Sequence, residues 1–185
     1  MKKLLSIVLA ILMVVSVLAL VACKGNTTPK TLKFGMGVAV SAKASNATPA
    51  NEEEEIAAKD GTIEFDTTIF AAAVDANGKV VAVDTDCTQV KFTFDAAGKT
   101  TFTAPESGVL TKRERGNGYG MSKIGKKEWF EQADAFETQC LGKTAAEIVA
   151  LVGTDGKGVE AVQTAGCTIT ASGFAAAAAK IAPAK

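Results

Sequence analysis

The stretch of this 185-residue chain best suited to chemistry is Ala165-Gly166-Cys167-Thr168-Ile169-Thr170. Small residues around a glycine let backbone N–H groups approach a ligand, and Thr168 and Thr170 add hydroxyls. The stretch leads into a helix-like segment, residues 172–180, and a helix N-terminus attracts an anion such as phosphate. The same pattern also serves as a plain helix cap. Upstream, Gly118-Tyr119-Gly120-Met121 encloses the single tyrosine, and Trp129 is the single tryptophan. Tyr119, Met121 and Trp129 are either walls for a flat ligand or ordinary core packing. Lys112-Arg113-Glu114-Arg115 is a basic segment expected on a solvated face.

Other chemistry is narrowed by composition. The chain has no histidine, so triads built on imidazole and His-ligated metal sites have no group to use. No nucleophile stands at a recognisable spacing from an activating base, so no catalytic residue is assigned. Glu52-Glu53-Glu54-Glu55 lacks the interleaved Asp, Asn and Gly of a calcium loop and is expected as a solvated loop. The cysteines are Cys23, Cys87, Cys140 and Cys167, none in a CxxC pair, which leaves zinc ribbons and thioredoxin-like chemistry without support.

The N-terminus belongs to a different class of signal. Met1-Lys2-Lys3 is basic, residues 4–20 are almost wholly apolar, and Leu20-Val21-Ala22-Cys23 closes the run. This order is that of a secretory signal peptide and resembles a bacterial lipoprotein signal with its lipobox. The resemblance implies cleavage after residue 22 and a lipidated Cys23, such as by palmitate, with residues 23–31 as a tether. An uncleaved anchor is the alternative, since residues 4–22 are nearly long enough to span a bilayer. Either way the expected location is extracytoplasmic and membrane-bound. Twenty basic and twenty acidic residues balance over the whole chain; without Lys2 and Lys3, 18 face 20, a net −2. A nucleic-acid partner is not expected at that charge. With Cys23 lipidated, three thiols remain, allowing at most one disulfide; the simplest expectation is three small buried apolar side chains.

The elements that must position these residues come as strands, then helices. Residues 32–40 alternate as a strand, and 41–59 form a polar, acidic loop. Residues 62–74 are strand-like, with Ile63, Phe65 and Ile69 on one face and Glu64, Asp66 and Thr68 on the other. Asp75-Ala76-Asn77-Gly78-Lys79 is a hairpin signal. Residues 80–83 and 87–94 continue the pattern, with Val90, Phe92 and Phe94 sharing a face. After the turn Asp95-Ala96-Ala97-Gly98-Lys99, residues 100–103 return. Residues 127–141 form an amphipathic helix with Trp129, Phe130, Ala133, Phe136 and Cys140 on its apolar side, closed by Gly142. Thr144-Ala145-Ala146-Glu147 is a capping box opening a second helix to about residue 152. Residues 153–158 are a loop before the Gly166 turn and the terminal helix. The fold class is α+β: a curved antiparallel meander with one wet face and helices packed on the other, over residues 32–182.

These landmarks, taken together, resemble a family. The hairpin Val81-Ala82-Val83 with its Asp-x-x-Gly-Lys-Val-Val turn, the Gly118–Met121 loop, Lys127-Glu128-Trp129-Phe130-Glu131-Gln132, Gly142-Lys143-Thr144 and Ala165–Thr170 occur in an order similar to that of the FMN-binding domain. That domain is found in cell-surface lipoproteins and flavin-carrying subunits of ion-pumping reductases. The resemblance implies an electron carrier at the cell envelope, with a flavin transferase and envelope electron-transfer proteins as partners. It implies FMN on Thr168 through a phosphoester, with Gly166, Cys167 and Thr170 around the anchor and Tyr119, Gly120, Met121 and Trp129 beside the flavin. Val162 and Ala165 stand where the family's motif has Asp and Ser. A cofactor-free lipoprotein that binds another ligand or a partner on the same fold is the alternative.

Overall fold

A computed structural model describes residues 31–102, 108–125 and 127–181. The signal peptide expected at 1–22, the lipidated Cys23 and nearly all of the tether lie outside the described residues. The chain divides into two units, and the second, Leu32–Lys185, holds the fold.

Three strands form one antiparallel sheet in sequence order: β1 (Lys33–Ser45), β2 (Gly61–Val74) and β3 (Val80–Phe94). The β2–β3 turn works as its sequence demands. The Asp75 carboxylate accepts from the N–H groups of Asn77 and Lys79 at 2.8 and 2.9 Å, and Gly78 takes a positive φ of 74°. The Asp95 turn repeats this arrangement. Of its return, expected as a strand over residues 100–103, the described residues 100–102 form a bridge between Phe94 and Thr100 and a bond from the Thr101 N–H to the Thr93 carbonyl, short of a strand. β1 runs five residues beyond the expected end, to Ser45, because Ala42 and Ala44 keep pairing with Phe65 and Ile63.

The two faces of β2 divide as expected, and the face of Asp66 and Thr68 is the one that meets the helices. Thr68, Phe70, Ala72 and Val74 are the buried face of β2, whereas Ile63 and Phe65 are exposed. The pleat runs unbroken, so the Phe70, Ala72 and Val74 end decides which face meets the helices. Asp66 and Thr68 are carried onto that same face. On β3 the partners are Thr85, Cys87 and Gln89, opposite Phe70, Thr68 and Asp66 respectively.

The helices are α1 (Lys112–Arg115), α2 (Trp129–Cys140), α3 (Ala145–Val149), α4 (Glu160–Ala165) and α5 (Ser172–Ala178). Two 3₁₀ turns, Gly116–Tyr119 and Met121–Lys123, join α1 to α2. α2 keeps the apolar face read from its periodicity: Trp129, Ala133, Phe136 and Cys140 are buried. The Thr144 capping box opens α3, with the Thr144 side chain accepting from the Glu147 N–H. α4 was not expected; it is short and buries only Val162, which leaves little periodicity to detect. α5 lies over β1, where Gly37 faces the Ala177 carbonyl so closely that a Cβ there would stand 1.9 Å from it.

Phe70, Phe136, Ile148, Val162, Cys140 and Cys167 are fully buried, each larger side chain contributing about 1.5–3 kcal/mol of transfer free energy. Phe174 on α5 packs against Trp129 and Phe136 at ring distances of 5.7 and 5.1 Å. The basic segment is a solvated face only at Glu114 and Arg115. Lys112 is buried. Arg113 bonds Asp134 at 2.7 Å, Glu137 at 2.5 Å and the Thr85 carbonyl at 2.6 Å. α1 is thus fastened to both β3 and α2, because a guanidinium can satisfy several acceptors at once.

Candidate functional site

Gly166 ends α4 in a left-handed conformation, φ 113°, and the chain then turns outward. Thr168 is exposed while Cys167 beside it is fully buried. The Thr168 N–H and hydroxyl both donate to Gln132 Oε1, each at 3.0 Å. Gln132 in turn donates from Nε2 to the Lys127 carbonyl at 3.2 Å and to Met121 Sδ at 3.5 Å. One buried amide therefore ties the Thr168 turn, the start of α2 and the Met121 loop together.

Thr168 and Gly166 line a cleft of about 470 Å³ with Gly125, Lys127, Gln132 and Gln163. None of these residues is acidic, and Lys127 brings the only formal charge. A Cβ at Gly166 would lie 2.4 Å from Lys127 Nζ, so the glycine admits the ammonium as well as supplying the positive φ. The anion-seating geometry differs from the expectation. Thr168 follows the C-terminal end of α4 and is separated from α5, whose first residue is Ser172. Attraction for an anion at Thr168 comes from Lys127, and the N-terminus of α5 does not face it.

The Gly120–Met121 loop is held from below. Glu128 accepts from the Met121 N–H at 2.9 Å, the Ser122 N–H at 3.2 Å and the Ser122 hydroxyl. These bonds, the Ser122 hydroxyl's first, hold the Glu128 carboxyl below the usual carboxylate range. Gly120 has φ 80°, which lets the two 3₁₀ turns meet there.

Trp129 and Thr170 are not in the Thr168 cleft. They line a separate cavity of about 170 Å³ together with Asp66, Cys87, Lys112 and Ser172. Lys112 Nζ lies 3.4 Å from Asp66 Oδ1 and 5.4 and 5.7 Å from the Tyr119 and Trp129 ring centres. Burial works against the Lys112 charge, and Cys87, Tyr119 and Asp66 work for it; the balance holds its ammonium above the ordinary value. Tyr119 also donates to Gln89 Oε1 at 3.3 Å and carries Arg115 over its ring at 4.9 Å. Burial pushes the thiols up: Cys87 in direction, Cys140 to about 12 and Cys167 to about 11. All three are free and buried, so Cys167 takes no part in the cleft as a thiolate.

No family model, curated protein or solved structure matches this chain.

The residues at the Thr168 cleft therefore have to carry the functional reading themselves. Gly166, Thr168 and, through Gln132, Met121 are brought together; Tyr119, Trp129 and Thr170 group around Lys112 instead. Gln132, Lys127, Glu128 and Lys112 were not anticipated. Gln132 had a legible signal: it is the one polar residue inside the apolar stripe of α2, three positions after Trp129. Among the described residues no cluster of His, Cys, Asp or Glu could hold a metal, and no helix is long and apolar enough to cross a membrane.

Proposed function

We propose that this chain is a membrane-anchored extracytoplasmic lipoprotein of the FMN-binding type, a flavin-based electron carrier at the cell envelope with Thr168 as the flavin anchor. The observation that carries the reading is the exposed Thr168 in a cleft whose described lining includes a lysine and no carboxylate. The residues lining the cleft fit the phosphate end of the group. A phosphoester at Thr168 Oγ1 would place its charge near Lys127, and Gln132 Oε1 keeps the Thr168 backbone N–H as its donor. The half-buried Met121 does not line the cleft and is linked to it through its sulfur, which accepts from Gln132 Nε2. When bound, FMN supplies the electron-transfer chemistry, and the protein holds and orients it. The anchor at Cys23 keeps the carrier at the membrane surface.

The test is to express the full chain with and without a flavin transferase and to look for in-gel flavin fluorescence. The expected result is fluorescence that depends on the transferase and is lost in Thr168→Val. Absence of both an adduct and binding of free FMN removes the electron-carrier reading.

One observation favours the alternative, a cofactor-free ligand- or partner-binding lipoprotein. Val162, at the family motif's Asp position, is fully buried, so an Asp there would be an uncompensated core charge. That reading predicts ligand or partner binding that Thr168→Val leaves unchanged.

A further inference from the structure

The sheet face that carries no helices is apolar over most of its length. Phe34 and Met36 lie beside Ala73 and Ala71, and Ala42 and Ala44 beside Phe65 and Ile63, large against small at either end, with Val38 beside Ile69 and Val40 beside Thr67 between them. Phe34, Met36 and Val40 are 65%, 58% and 64% exposed, and Phe65 is 41% exposed. Phe34 and Phe65 together show about one whole aromatic side chain, roughly 150–250 Å² of apolar surface. One end of the face is closed by Phe102, which packs on Phe92 at 4.4 Å. The rest is open.

We propose that this face is the contact surface of a homodimer, two copies packing sheet on sheet. Its size suits a second copy. Three strands about 4.8 Å apart, over β1 residues 34–44 at about 3.3 Å each, give a patch roughly 14 by 36 Å. Two such patches bury about 1,000 Å² in total, the lower bound for a specific interface. The alternation of Phe, Met, Ile and Val with alanines allows two faces to interdigitate at sheet-packing distance. Its charge pattern disfavours a lipid surface, which favours basic flanks. The charged side chains this face carries by register are Asp84 and Asp86, opposite Ala71 and Ile69; Asp84 pairs with the Arg113 guanidinium at 3.3 Å, and Asp86 accepts from the Arg113 backbone N–H at 3.2 Å. The remainder is uncharged, as the centre of an interface requires. This inference does not depend on the flavin reading.

The experiment uses the full chain with a bis-maleimide crosslinker. Thr67→Cys places a thiol at the middle of the face, between Val40 and Thr88; Ala146→Cys places one on the exposed side of α3 as a control. The expected result is several-fold more crosslinked dimer from Thr67→Cys than from Ala146→Cys. Adding Met36→Glu, which would bury an unpaired charge at the interface, should reduce that dimer roughly tenfold or more while the circular dichroism spectrum is retained. Sedimentation of the unmodified full chain should show a concentration-dependent dimer that Met36→Glu dissociates. Equal crosslinking at the two positions, a link formed within one chain, or a monomer unaffected by Met36→Glu would each overturn the proposal.

Discussion

Thr168 and Gln132 meet through a single oxygen: the Thr168 N–H and hydroxyl both donate to Gln132 Oε1 at 3.0 Å. Because Gln132 is itself buried at 3% exposure, its position is fixed by packing, and it transmits that fixed position to an exposed threonine. A surface hydroxyl that would otherwise sample its rotamers is held in one orientation.

Gln132→Ala removes the shared acceptor and the donor to the Lys127 carbonyl together. A buried hydrogen-bond network opened in this way costs about 1–3 kcal/mol, expected as a lower denaturant midpoint at unchanged slope. A loss well below that range would mean the Thr168 turn is held by something else.

Glu128→Gln tests the support under the Met121 loop. The charged acceptor of three donors becomes a neutral one, so amide exchange at Met121 and Ser122 should speed up while the core of α2 stays protected. The sign with pH follows from the lowered carboxyl. Its contribution is fully present above the ordinary carboxylate pKa and is lost as pH falls through the lower folded value. Acid unfolding curves of wild type and variant should therefore converge at low pH.

The sequence made some of this visible and hid the rest for identifiable reasons. The Asp75 and Asp95 turns, the Thr144 capping box and the apolar stripe of α2 are local features, written in adjacent residues and found where expected. The two faces of β2 were legible from its alternation, but not which is buried: Ile63 and Phe65 are the more apolar end, while packing under α5 is decided by Phe70, Ala72 and Val74. Lys112 was placed in solvent for a similar reason: its partners Asp66, Tyr119 and Trp129 are distant in sequence. In the candidate site Thr168 and Gly166 were legible as a turn with a hydroxyl. Lys127 was not, and Gln132 showed only as a polar residue in the apolar stripe of α2, since its pairing with Thr168 across 36 residues leaves no local pattern.

Gly37→Ala probes the seat of α5 on β1. A Cβ at 1.9 Å from the Ala177 carbonyl meets backbone, so the helix must move off the strand. Overpacking of this kind costs about 1–3 kcal/mol and occasionally more, measured by thermal or urea unfolding. Unchanged stability would contradict the observed packing of α5.

The buried thiols predict a decline in stability at alkaline pH. Cys140 and Cys167 are raised from 9.0 to about 12 and about 11. Thiols in the unfolded chain ionise near 9 while those in the fold stay protonated, so stability is full below 9 and falls as pH rises above it. Each such thiol contributes a slope of about 1.4 kcal/mol per pH unit. Cys140→Ala should flatten that slope, and a thiol reagent at pH 8 should label Cys87, Cys140 and Cys167 only after unfolding.

The most direct test of the flavin reading is peptide mass mapping of the full chain after expression with a flavin transferase. The account predicts that the peptide containing Thr168 gains the mass of FMN less one water, that Thr168→Val abolishes this, and that substituting Thr170 does not. An unmodified Thr168 peptide, or flavin attached at another residue, would contradict it.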